Sequence, residues 1–102
     1  MEKRRSFEEA FIEAVDEGLL MLGEAGREII YFRLRHDYGL RREEIPRSPK
    51  IFMNCLRNLL GKGAEVIEKS IIKSLYGKLG IKFVENRNLG FLDYIEEAKS
   101  KS

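Results

Sequence analysis

Residues 48–61 read SPKIFMNCLRNLLG. Phe52, Cys55, Leu56 and Leu59 fall at i, i+3, i+4 and i+7, the spacing of one face of an α-helix. Ser48 before Pro49 suits an N-cap followed by a first-turn proline, where the missing N–H costs nothing. Gly61 supplies the stop. The stretch predicts a helix over 49–60 with one apolar side, and the same grammar repeats on either side of it.

Upstream, Ser6 and Glu9 have the spacing of a capping box. Glu8 and Glu9 put negative charge at the positive end of a helix dipole. Phe7, Phe11, Ala14, Val15, Gly18 and Leu22 then follow helical spacing, flanked by Ala10 and Leu19. The spacing predicts a helix over 7–22 with an acidic outer face of Glu9, Glu13, Asp16 and Glu17. Gly23 breaks it. A second helix is expected over 24–38, with Ile30 and Leu34 on its buried face and Ile29 and Phe32 widening that face. Gly39 is placed to end it in a left-handed conformation, with Leu40 folding back. Residues 40–49 form the one extended-looking connection. Ile45 precedes Pro46 and is biased away from helix there.

Downstream, Ile67, Ile71, Ser74 and Leu75 share a face of a helix over 64–79, with Val66, Ile72 and Leu79 beside it. Glu65 and Lys69 have the i,i+4 spacing of a favourable ion pair. Gly80 stops this helix. Ile81 to Val84 alternates apolar with polar residues and predicts a short extended piece. Residues 86–88 are turn-like. A last helix over 89–99 carries Phe91, Leu92, Ile95 and Ala98 on its apolar side, and the terminal Lys-Ser-Lys-Ser is expected to fray. Five helices with short connections, no repeats and no linker predict a single all-α, bundle-like domain over 1–102.

Composition sets outer bounds. At 102 residues, 43% hydrophobic and 35% charged, the chain can bury a core without a disulfide or a metal. The start of the chain is charged and lacks the apolar run of a secretory leader. No stretch approaches a membrane span, and the single cysteine forms no internal disulfide. A cytoplasmic location is expected. Thr and Gln are absent while Lys and Glu abound, a bias shared with proteins of hot environments.

Few residues carry chemistry. His36 is the only histidine and Cys55 the only cysteine, too few for a standard zinc site. His36 and Asp37 are neighbours, which on a helix do not face each other. Cys55 lies on an apolar stripe and reads as core. Gly61-Lys62-Gly63 lacks the strand, spacing and Ser/Thr of a phosphate loop and reads as an interhelical turn. Neither a catalytic site, nor a metal, nor a cofactor is expected.

Charge is uneven along the chain. Residues 1–26 hold three basic and seven acidic side chains, residues 27–62 nine against four, and the remainder seven against six. The basic stretch holds Arg33, Arg35, Arg41, Arg42, Arg47 and Lys50, with Tyr31 and Tyr38 interleaved. This corner between the second and third helices is the candidate binding surface. A basic corner of that kind could meet phosphates, but its connection is longer than a helix–turn–helix allows, and Glu43 and Glu44 interrupt it. Tyr31, Phe32, Tyr76 and Tyr94 do not all fit on inward stripes. The surplus suggests an interface with a protein partner or a second copy. A protein partner or self-association is the expectation favoured over nucleic acid.

Four stretches together carry a resemblance: Asp16 to Leu19 with Leu22 to Ile30, Tyr38 to Leu40 with Glu44 to Pro46, Phe52 with Leu60 to Lys69, and Phe91 to Tyr94. The pattern resembles a family of small archaeal domains of unknown function, the Nitrosopumilus-type signal-output domain. The resemblance spans about residues 10–98. It implies an archaeal source and a role in signal output or protein interaction, and it carries no catalytic residues.

Overall fold

A computed structural model gives the structure, which describes residues 6–102. The expectation that the start of the chain is no secretory leader rests in part on residues 1–5 and lies outside them. Five α-helices follow one another among the described residues: α1 Phe7–Leu19, α2 Gly23–Tyr38, α3 Pro49–Leu60, α4 Ala64–Leu79 and α5 Phe91–Lys101. No strand is present among these residues, and the all-α class holds.

The helix starts show why local sequence was informative. The Ser6 hydroxyl accepts from the Glu9 N–H at 3.1 Å, and the Glu9 carboxylate accepts from the Ser6 N–H at 3.3 Å. This is the expected capping box. α5 begins at Phe91, two residues later than expected, behind an N-cap at Gly90 whose N–H donates to the Asp93 carboxylate at 2.8 Å. At α3 the proline fits the first turn, but the Ser48 side chain makes no cap bond. Its φ of −140° and ψ of 58° suit the exit from the preceding turn instead.

Helix ends follow the glycines. Gly39 sits at φ 66° and its N–H donates to Arg35 at 3.0 Å, while Leu40 folds back and is buried. Gly80 sits at φ 69°; its N–H reaches Gly77 at 3.2 Å and that of Ile81 reaches Tyr76 at 2.9 Å. Together these make a Schellman stop.

Residues Leu20–Leu22, Arg42–Arg47 and Gly61–Gly63 are 3₁₀ turns. That at Gly61–Gly63 is the expected interhelical turn, and the other two are tighter than their sequences suggested. The helix expected over 7–22 therefore tightens after Leu19. The connection expected to be extended is a 3₁₀ helix over 42–47. Its first turn closes when the Arg41 N–H donates to the Glu44 carboxylate at 2.9 Å and the Glu44 N–H to the Arg41 carbonyl at 2.9 Å. Complete burial of Ile45 outweighs the extended bias of a residue before proline.

The longest packing seam joins α1 to α4. Gly18 makes it possible: a Cβ there would stand 2.4 Å from Ile71 Cγ1. Phe11, Val15 and Leu19 of α1 meet Ile71 and Leu75 of α4 in one core, which α5 closes with Phe91, Tyr94, Ile95 and Ala98. Glu17 ties the seam at its rim, accepting from Ser74 Oγ at 2.8 Å and from Lys78 Nζ at 2.5 Å.

Residues 81–90 form no regular element. The expected alternation is real, with Ile81 and Phe83 half-buried and Lys82 and Val84 exposed, but no strand lies beside it. Tyr94 pins this segment. Its hydroxyl donates to the Asn86 carbonyl at 2.9 Å and accepts from the Asn86 N–H at 2.8 Å. The last helix, expected to end near residue 99, is assigned to Lys101.

Candidate functional site

Residues Arg27, Tyr31 and Arg35 stand four apart on α2 and so share one side of it. That side borders α1 and the 3₁₀ turn at 42–47. Between them lies an open cleft of about 630 Å³ lined by Asp16, Arg27, Glu28, Tyr31, Arg35, Arg41, Arg42 and Glu43.

Its floor is a fixed triad. The Tyr31 hydroxyl and the Arg42 guanidinium both donate to the Asp16 carboxylate, Arg42 Nε at 2.8 Å and Arg42 Nη2 to the second oxygen. Partial burial alone would raise the Asp16 pKa. The hydrogen bonds from Arg42 and Tyr31 outweigh it and hold the carboxyl below its usual range. Burial and the hydrogen bond to Asp16 push the Tyr31 phenol well above its ordinary range. The Arg42 guanidinium is likewise held charged, chiefly by its bond to Asp16. Asp16 was expected on a solvated acidic face; it is instead the anchor of a bond spanning 26 residues.

The structure divides the predicted basic corner. Tyr31, Arg35, Arg41 and Arg42 come together at the cleft. Arg33 pairs instead with Asp37 at 2.7 Å. Tyr38 accepts from Asn58 of α3 at 2.6 Å. Arg47 and Lys50 are exposed and do not line the cleft. Sequence reasoning missed Asp16, Arg27 and Glu28. The four-residue spacing of Arg27, Tyr31 and Arg35 was a legible signal for one of them.

A second surface lies on the side of α2 that faces away from Ile30 and Leu34, next to the Glu28 and Arg35 edge of the cleft. This helix of 16 residues buries only Ile30 and Leu34. Ile29 and Phe32, expected to widen the buried face, are 58% and 51% exposed. With Ala25 and His36 they form one outward stripe, at spacings of four, three and four residues. The Phe32 and His36 rings stack at 5.4 Å. His36 also reaches Asp37, Nδ1 to Oδ1 at 2.9 Å, so the two neighbours do meet. Both are exposed in the last turn of α2, where a short carboxylate can swing across. The His36 bond, then Arg33, holds the Asp37 carboxyl below its usual range.

The other expected interface aromatics are not surface residues. Tyr76 and Tyr94 are buried. The Tyr76 hydroxyl lies 2.5 Å from a Glu97 oxygen and 2.9 Å from the Tyr94 carbonyl. Val66 and Leu59, placed by spacing on or beside buried faces, are exposed, and Met53 is buried instead.

A smaller cavity of about 270 Å³ lies between α4, residues 83–90 and α5, with Phe83, Phe91 and Tyr94 among its walls. Glu68 at its edge is buried and takes both bonds of the Arg57 fork, at 2.9 and 3.0 Å. Lys69 was expected to pair with Glu65; it pairs with Glu85 at 3.0 Å.

Cys55 is buried, and burial pushes its thiol upward. Among the described residues no three His, Cys, Asp or Glu side chains gather to hold a metal ion. Among the same residues no helix is long and apolar enough to cross a membrane. No family model, no curated protein and no solved structure matches this chain.

Proposed function

We propose that this protein is a non-catalytic protein-interaction module that works in the cytoplasm through the outward face of α2. The observation that carries the reading is the exposure of Ile29 and Phe32, more than half each, on a helix with two buried side chains. Apolar side chains scattered singly on a surface need no explanation. Here they line up on one rigid element with an aromatic at the centre, the anatomy of an interface core.

The test uses Phe32→Glu, which changes the face without touching the core. The wild-type chain is expected to retain a protein partner, or itself, in quantitative crosslinking. The variant is expected to lose it with an unchanged melting temperature. An identical crosslinking profile for the two chains would reject the reading.

One observation favours a second reading, binding of nucleic acid at the cleft. Arg35 and Arg41 line it and make no ion pair among the described residues. Phosphate binding there would weaken steeply with salt, and Arg41→Ala would reduce the salt slope by about 1. Absence of any mobility shift at low salt would remove this reading.

A further inference from the structure

We infer that the partner of the α2 face is a second copy of this chain, docked with the two α2 helices antiparallel across a twofold axis. This rests on the reading of that face as an interface and names its occupant.

The stripe Ala25, Ile29, Phe32, His36 has the alternating four–three–four spacing of a coiled-coil seam. Its midpoint falls between Ile30 and Tyr31. Two copies related by a twofold axis there set Ile29 against Phe32 and Ala25 against His36. Each layer then pairs a larger side chain with a smaller one, and the helices can keep an even separation. A parallel pair would stack Ala25 on Ala25 and Phe32 on Phe32, which demands different spacings along the seam. It would also place two His36 rings together and align the helix dipoles.

Charge points the same way. Glu28 and Arg35 flank the stripe on one side, and in the antiparallel register each lies beside the other in the second copy. Arg35 has no ion-pair partner among the described residues of its own chain. On the other flank Arg33 is neutralised by Asp37 at 2.7 Å. Its neighbour across the axis is Gly26, which carries no side chain. A parallel pair would instead ask the already occupied Arg33 to serve Glu28. The self-complementarity of one patch is what a twofold interface requires.

Size limits the strength. Two crossing helices of 16 residues bury less than the roughly 1,200 Å² of a standard interface. The expected dimer is therefore weak, with a Kd on the order of 10–100 µM.

Sedimentation equilibrium over about 10 µM to 1 mM tests it. The wild-type chain is expected to dimerise, and Phe32→Glu to remain monomeric. Glu28→Arg and Arg35→Glu are each expected to weaken the dimer about threefold to tenfold. The double variant restores both pairs and is expected to return to near the wild-type constant. Orientation is read from disulfide trapping. Ala25→Cys mixed with His36→Cys is expected to crosslink, and Ala25→Cys alone is not. Cys55 is buried and does not interfere.

A wild-type chain that stays monomeric at 1 mM overturns the inference. So does a dimer indifferent to Phe32→Glu, a double variant no better than the singles, or self-crosslinking of Ala25→Cys. If the chain is monomeric but Phe32→Glu abolishes crosslinking to another protein, the interface reading survives and the second copy does not.

Discussion

Asp16 takes three hydrogen bonds from two side chains that sequence spacing could not connect to it. Its pKa lies below the reference value of 3.8. A carboxyl with a lowered folded-state pKa contributes stability that is present above the unfolded value and lost as pH falls through the folded one. Asp16→Asn is thus expected to cost about 2 kcal/mol at pH 7, with the difference from wild type shrinking below about pH 4. Urea unfolding at several pH values reads this directly. A constant difference down to pH 2 would show that the ionised carboxylate is not the stabilising species. Tyr94 offers a second test at this scale. Tyr94→Phe keeps the ring in the core but removes both bonds to Asn86. A loss of about 1–2 kcal/mol is expected, with faster hydrogen exchange at the Asn86 amide as the specific sign.

Among the helices, the α1–α4 seam is the most sensitive to a single methyl group. Gly18→Ala would place a Cβ against Ile71 Cγ1, with the Ile71 backbone nitrogen only 3.4 Å away. The side chain cannot simply rotate off, so about 1–3 kcal/mol of destabilisation is expected despite alanine's better helix propensity. Thermal melting of the variant checks it; a stabilised protein would mean that the helices separate freely. Caps and stops were legible because they are decided within four residues: Ser6 with Glu9, Gly39 and Gly80. The buried pair of α2, Ile30 and Leu34, was legible from its four-residue spacing. Its outward stripe was not, because apolar Ile29 and Phe32 lie close in sequence to the buried side and periodicity alone widened that side to include them. The 3₁₀ turn at 42–47 was illegible for a different reason. Its local signal, Ile45 before Pro46, favours extension, and only the core space that Ile45 fills reverses that preference. The cleft was half legible: Tyr31, Arg35, Arg41 and Arg42 lie within twelve residues, whereas Asp16 comes from a different helix.

For the whole molecule, one continuous core joins all five helices. The Cα radius of gyration is 13.1 Å, as expected of about 100 residues packed in one body. Removing α5 would strip Phe91, Tyr94, Ile95 and Ala98 from that core and expose Tyr76 and Ile72. A chain ending at Asn88 is expected to keep helical far-ultraviolet dichroism but to lose cooperative melting. Sharp two-state melting of the truncated chain would show that four helices suffice.

The 3₁₀ turns leave little spare length between α1 and α4, and among the described residues the longest segment outside a helix or turn of this kind is 81–90. Those residues are the natural point of first proteolytic attack and the natural place to accept foreign sequence. Lengthening the chain next to exposed Arg87 adds loop without moving a helix, whereas one residue inserted at Leu20–Leu22 or Gly61–Gly63 rotates the following helix by about 100° and turns its buried face to water. A tag or reporter therefore belongs between Arg87 and Asn88, in the segment beside α4 and α5 that no helix register depends on.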